Sequence, residues 1–317
     1  MTDSSPISLI VATWRPQDRL AELRRLLDSL VAQRELPESR PNLHEVVVVA
    51  QEANAQVLQT LHKTYSTQLP LKITTSAPGL SRARNIGLQT VTGEVVGFPD
   101  DDCWYEPTFL AKIQHFFHNN LAWDGLHTMG VSALGHPIAR FAKRPSPITR
   151  TGVFTRTCSI GMFYRRSVFD VIGNFDERLG LGSGTPWEGC EDYDLPLRAV
   201  THGFNLYYAP SLYVYHPVPA SVGGSAVADH SKLRDRVARQ SPSYGHVLAR
   251  HRLPRWFVAQ EVLRPAVGAV MAALEGETEL ATIRLTAARG RARGYHRTRS
   301  IRPSPEQRLR LHGSAAA

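Results

Sequence analysis

Unbroken apolar runs alternate with segments of helical period through the first hundred positions. ISLIVAT (7–13) and HEVVVVA (44–50) are continuous rather than alternating, the pattern of strands buried on both faces. LKITT (71–75) and EVVGFP (94–99) supply a third and a fourth strand. After Pro16, which suits a first helical turn, Leu20, Leu23, Leu26, Leu27, Leu30 and Val31 recur at helical spacing. Residues 52–65 can form a second helix. The turn SAPGL leads into a third, SRARNIGLQTV, opened by Ser81. Strand and helix alternate four times, which predicts an α/β fold with a mostly parallel sheet and right-handed crossovers.

The pattern is less regular from 105 to 150, where a helix is expected from Pro107 to about His118. CSIGMFYRRSVFDVIGNFDERLG (158–180) reads as a strand and a short amphipathic helix ending at Gly173. WEGCEDYDLPLRAVTHGF (187–204) opens a helix with acids and turns Leu195, Leu197 and Ala199 inward. NLYYAPSLYVYHP (205–217) reads as two short strands around a turn. No internal repeat is present, and the terminal GSAAA is the one low-complexity segment.

Ligands of parallel sheets bind outside the carboxyl ends of the strands. Those ends carry Thr13, then Gln51-Glu52, then Ala77-Pro78-Gly79, then Asp100-Asp101-Asp102. Three adjacent carboxylates repel one another, and a solvated turn is one reading of them. At this rim they also suit Mg²⁺ or Mn²⁺, which favour oxygen ligands and are often shared with substrate phosphates. The i, i+2 spacing points Asp100 and Asp102 to one side. Arg82 and Arg84 open the third helix beside Gly79, as solvated charges or as an anion site. The acids Glu188, Glu191, Asp192 and Asp194 are dipole partners of their helix or, opposite the first cluster, include a general base. His216 is a structural histidine or a third metal ligand.

These residues fall in stretches that resemble the inverting nucleotide-sugar glycosyltransferases of family 2, with the GT-A fold. The matching segments are SLIVATWRPQDRLAELRRLLDSL, PGLSRARNIGLQTVTGEVVGFPDDD, FYRRSVFDVIGNFDERLG and CEDYDLPLR, in the family's order over roughly 7 to 217. The resemblance implies a Rossmann-like catalytic domain over 1–224 and a role for each matched residue. Asp102 and Asp100 fall on the metal-binding DXD motif, with Asp100 and Asp101 nearer the nucleotide sugar. Asp192 becomes the catalytic base, and Glu191 helps hold the acceptor. Thr13, Arg15, Glu52, Arg82, Arg84 and Asn85 fall around the nucleotide sugar, and His216 falls where some GT-A enzymes place a metal-binding histidine. A divalent cation (Mn²⁺ or Mg²⁺), a nucleotide-sugar donor and a saccharide or lipid-linked acceptor are implied with them. Two departures stand out: Gln51-Glu52 replaces the family's frequent Asp after the second strand, and Cys190 replaces the glycine of its GED. The rival classes are sugar-1-phosphate nucleotidyl transfer, against which VATWRPQDR lacks the glycines, and a non-catalytic nucleotide-sugar-binding protein.

Composition adds two points. Across 317 residues, 42% are hydrophobic and 21% charged, enough for a core in one large α/β unit plus an appendage. The net charge of +9 is uneven: residues 1–224 hold 20 Lys/Arg against 21 Asp/Glu, and residues 225–317 hold 17 against 7. The basic part is expected to be a helical extension over 225–317. Its apolar stretch, Pro265 to Leu274, reads as too short and too polar to cross a bilayer. Packing on the catalytic domain and peripheral contact with anionic lipid are both open to it. RGRARGYHRTRSIR matches no nucleic-acid module, so no nucleic-acid partner is expected. Three cysteines without metal spacing and the lack of a signal-peptide pattern lead to an expectation of free thiols in the cytoplasm, with peripheral contact at the inner membrane face open.

Overall fold

The computed structural model describes residues 5–36, 41–217 and 230–300; GSAAA and the expected boundary at 224/225 lie outside the described residues. The chain divides into two compact units, Met1–Ala228 and Asp229–Ala317.

The first unit opens with β1 (Ile7–Trp14), α1 (Leu20–Arg34), β2 (Leu43–Gln51), α2 (Ala55–Tyr65), β3 (Leu71–Ser76), α3 (Leu80–Thr90) and β4 (Val95–Gly97). The four expected strands and three expected helices are all present. α1 starts later than Pro16 because Arg15 is left-handed (φ 50) and Asp18 N–H closes a turn on the Arg15 carbonyl at 2.8 Å. There follow α4 (Phe109–Asn119), β5 (Gly125–Val131), β6 (Ser146–Pro147), β7 (Met162–Arg165), α5 (Ser167–Ile172), α6 (Glu191–Thr201) and β8 (Leu206–Tyr215).

The eight strands form one sheet in the order β3-β2-β1-β4-β7-β5-β8-β6. β1 pairs in parallel with β2 and β4, and β2 with β3, so all four carboxyl ends share one rim. β7 enters antiparallel between β4 and β5, and β6 is antiparallel at the edge. Neither β5 nor β6 is among the sequence expectations. The two short strands expected over 205–217 are instead one strand, because both halves pair with β5; the register jumps from Thr128↔Ala209 to Met129↔Tyr213.

Burial explains the continuous apolar runs. Ile7, Leu9, Val11, Val46 and Val48 join one core cluster with Leu23, Leu26 and Leu27 of α1 and Phe109, Ile113 and Phe117 of α4. Ile10, Val47 and Val49, on the opposite face of the sheet, are buried as well. There α3 approaches β1 so closely that a Cβ on Gly87 would lie 2.3 Å from Ile10 Cγ2. That contact fixes the height at which α3 presents Arg84 to the rim.

The described residues of the second unit form α7 (His230–Arg250), α8 (Arg255–Leu274) and α9 (Thr278–Ser300). Cβ atoms on Gly245 and Gly294 would fall 1.9 Å from backbone oxygens of Arg291 and Pro242, so glycine sets the close approach of α7 to α9. The expectation for the apolar stretch needs correction. The helix runs unbroken through Pro265, and at 20 residues α8 is long and apolar enough, by length and composition, to cross a membrane. Glu261, the one acid within α8, is fully buried and faces inward, where Tyr244 Oη donates to it at 2.6 Å and Arg264 and Arg291 pair with it at 2.8 and 3.3 Å.

Candidate active site

The rim at the carboxyl ends of β1 to β4 carries the acidic triplet, and the fold counters its repulsion with its own cations. A bridge from Ala12 to Asp100 continues the β1–β4 pairing one step beyond the strand and sets where the triplet begins. Arg19, at the start of α1, pairs with Asp101 Oδ1 at 2.8 Å and Asp102 Oδ2 at 2.7 Å. Thr13 Oγ1 donates to Asp101 Oδ2 at 2.6 Å. Both oxygens of Asp101 are therefore held from within the protein, and the middle acid braces the loop between its neighbours. Arg19 is absent from the sequence expectations. Its signal was there: a cation in the loop after β1, at the rim that carries three adjacent acids.

His216 reaches the triplet through a second strand end. Trp104 and Tyr215 exchange both backbone hydrogen bonds at 3.0 Å, and their rings stack 5.5 Å apart, which ties the residue after β8 to the loop after β4. Arg25 lies over the Trp104 ring at 4.3 Å and donates to the Asp102 carbonyl at 2.7 Å. His216 Nδ1 donates to the Pro217 carbonyl at 2.6 Å, an assignment forced because a carbonyl can only accept. Nε2 is thus left toward Asp102 Oδ1, 3.1 Å away. That contact lacks hydrogen-bond geometry, so Asp102 Oδ1 is buried without a hydrogen-bond partner.

An oxygen left in this state fits a cation. One ligand atom each from Asp100, Asp102 and His216 lie within 4.8 Å of one another. Two carboxylates and an imidazole whose other nitrogen is already fixed are a donor set suited to Mn²⁺ or Mg²⁺. The acids respond to their surroundings in opposite directions. Burial alone would raise Asp102, but His216 and Arg19 outweigh it and hold the carboxyl below its ordinary value. Asp100 is raised, by burial first and then by Asp102, with Arg84 opposing.

Arg84 is the link between the two acidic clusters. It is 1% exposed, and its guanidinium reaches Asp100 Oδ1 and Glu191 Oε1, each at 3.1 Å. The acids at the end of β4 and those at the start of α6 therefore line one site. Asp192, the next residue, is half-buried, and no side chain among the described residues donates to its carboxylate. It is pushed up to about 8, first by burial and then by Glu191 beside it.

The remaining expected site residues divide into two groups. Arg15, Glu52 and Arg82 are exposed at the rim, with Arg15 paired to Asp18 and Arg82 to Glu177, each at 3.1 Å. Asn85 is buried, exchanging hydrogen bonds with the Phe175 backbone at 3.0 and 2.9 Å, so its amide anchors the 175–177 segment to α3. Gln51, whose Oε1 accepts from Gly79 N–H at 2.7 Å, likewise ties β2 to the turn before α3. Cys190 stands in a left-handed conformation (φ 66) immediately before α6, the conformation for which the family's glycine is suited. No disulfide joins the three cysteines.

Solved structures share this architecture. The chain matches Staphylococcus aureus TarS with a TM-score of 0.56 at 19% identity, covering 87% of this chain and 55% of TarS. It spans only about half the length of that protein. Against TarS 1–349 in complex with UDP-GlcNAc the TM-score is 0.53 at 19% identity, covering 93% of this chain and 92% of that one. The mannosyltransferase PcManGT from Pyrobaculum calidifontis, in complex with GDP-Man and Mn²⁺, gives 0.58 at 15% identity, covering 92% and 88%. At such identities the likeness is one of fold, the GT-A fold. No curated protein sequence matches the chain. The family model for glycosyl transferase family 2 matches residues 8–172, more than half the chain, and the protein belongs to that family.

Proposed function

We propose that this glycosyltransferase moves a sugar, with inversion, from a nucleoside-diphosphate sugar to an acceptor hydroxyl, in the synthesis of a polysaccharide or glycoconjugate in the cytoplasm. The observation that carries this reading is the Arg84 bridge. It brings a carboxylate with no cation partner, Asp192, to the same site as a triplet surrounded by cations. The donors named for the structural relatives, UDP-GlcNAc and GDP-Man, support a nucleotide sugar, and the Mn²⁺ named with PcManGT supports a divalent ion. The acceptor is a saccharide or a lipid-linked glycan.

Each group has one task. Asp102, Asp100 and His216 hold the cation; Nε2 of His216 faces Asp102 because Nδ1 is committed to Pro217. When bound, the cation supplies positive charge that offsets the diphosphate leaving group. Arg19 keeps Asp102 oriented, while Arg15, Arg82 and Glu52 stand exposed where the donor would lie. Thr13 and Asn85 shape that rim from beneath. Asp192 takes the proton of the acceptor hydroxyl as its oxygen attacks the anomeric carbon; a raised affinity for protons suits a base that works near neutral pH. Glu191 holds Arg84 across the site, and together they fix the position of Asp192.

The deciding measurement is release of nucleoside diphosphate from a panel of nucleotide sugars with Mn²⁺, paired with NMR of the product's anomeric centre. Inversion of configuration, lost in Asp192→Asn, supports the reading. Retention, or full turnover in Asp192→Asn, rejects it. Formation of pyrophosphate from a sugar phosphate and a nucleoside triphosphate would instead identify a nucleotidyltransferase.

A further inference from the structure

The second unit presents a surface that sugar transfer does not use. Trp256, Leu263, Val267, Val270, Met271 and Leu274 of α8 are each more than half exposed. Counted from Trp256 they fall 7, 11, 14, 15 and 18 residues on, near whole turns of a 3.6-residue helix, so they form one stripe along α8, broken near its start by the exposed, uncharged amide of Gln260. A contiguous apolar stripe of this length marks an interaction surface rather than ordinary scatter.

Two features of the same unit decide what covers it. The acidic residue within α8, Glu261, is turned to the opposite side and neutralised by Arg264 and Arg291, so the stripe itself carries no charge. Residues 230–300 hold 14 Lys/Arg against five Asp/Glu; exposed Arg252 and Arg255 flank Trp256 at the start of the helix, and exposed Glu275, Glu277 and Glu279 follow Leu274 at its end. Two copies of a unit with this excess of cations repel one another overall. An anionic bilayer complements both the apolar stripe and the cations. Spanning is disfavoured, because it would place Glu261 and Arg264 in hydrocarbon and break the contacts of Glu261 with Tyr244 of α7 and Arg291 of α9.

We infer that α8 lies in the plane of an anionic lipid surface, with the stripe from Trp256 to Leu274 in the interface and Arg252 and Arg255 on the headgroups. This goes beyond the transfer reading and is tested without donor or acceptor, so either can fail alone. The full chain is sedimented with phosphatidylcholine vesicles and with vesicles containing about one-third phosphatidylglycerol, where partition should be about tenfold higher. Leu263→Ser with Val267→Ser removes apolar area without adding negative charge, and should abolish binding to both while helical circular dichroism is unchanged. Should that pair reduce helicity, Val270→Ser with Leu274→Ser tests the same stripe. Arg252→Gln with Arg255→Gln should remove most of the preference for the anionic vesicles. Failure of the full chain to bind, or binding indifferent to the folded serine variants, overturns the inference. So does light scattering that shows a dimer in solution made monomeric by the serine pair, since a second copy would then cover the stripe.

Discussion

Asp102 and Asp192 are the same side chain at the two ends of one site, and their surroundings prepare them for opposite work. Around the triplet the fold gathers Arg19, Arg84 and His216, so Asp102 is held ionised despite burial. At the start of α6 the nearby guanidinium of Arg84 is shared with Glu191 and Asp100, and Asp192 is left to burial and a like charge. A carboxylate kept ionised is a ligand; one that gains a proton readily is a base. The lesson is that acid count along a sequence says less than how cations are distributed among the acids.

The sharpest test of that contrast is to remove the free carboxylate. Asp192→Asn should lower kcat by about 10²- to 10⁴-fold, as expected for loss of a general base, with the far-UV spectrum intact. Next comes the ligand side. Chelation by EDTA should suppress turnover and Mn²⁺ restore it, whereas Asp102→Asn should need a Mn²⁺ concentration raised by about 10- to 100-fold, read by calorimetric titration of metal alone as well as by rate.

The bridge between the clusters should dominate stability. Arg84→Ala leaves Glu191 buried without its cation and should destabilise the unit by about 3 kcal/mol, measured by urea unfolding, the low end for such losses because Asp100 keeps solvent. Arg84→Lys should recover only part of it, since an ammonium cannot reach both acids as a planar fork does.

Titration then separates the two aspartates by sign. In the folded state Asp192 binds its proton more tightly than when unfolded, so its contribution is full in acid and is lost as pH rises toward 8. Asp102 binds its proton less tightly, and its contribution is present at neutral pH and lost as pH falls through the carboxylate range. Without added metal, Asp192→Asn should therefore raise Tm relative to wild type at pH 8, and Asp102→Asn should lower it at pH 7. Shifts of the same sign would end the contrast. In the assay, kcat/KM should climb with pH and level off above about 8, a limb absent from Asp192→Asn. The smallest effect is expected at Cys190, whose left-handed backbone costs about 1 kcal/mol; Cys190→Gly relieves it against glycine's greater chain entropy, for a net gain of about 0.5 kcal/mol in thermal unfolding.

Much of the site could be read one residue at a time. The triplet, Glu191 and Asp192 at the start of α6, Arg84 and His216 announced themselves by charge at strand and helix ends, and the structure brings them together. Arg19 carried a signal of the same kind, a cation in the loop after β1, but its pairing with acids more than eighty positions away shows only in the fold. Nor did the sequence distinguish a residue that faces a ligand from one that holds the rim. Thr13, Asn85 and Asp101 all spend their polar atoms on the protein.

By itself the sequence determined which segments are strands and helices in the first hundred residues, and that acids crowd one rim. Burial on both faces demands unbroken apolar runs, and period and composition record this locally. Only the tertiary structure decided that β7 turns antiparallel between β4 and β5, that the halves of β8 form one strand, and that Glu261 turns inward and leaves α8 a bare apolar stripe. Those outcomes depend on which distant group comes to lie opposite which, and pairing across the fold leaves no period in the chain.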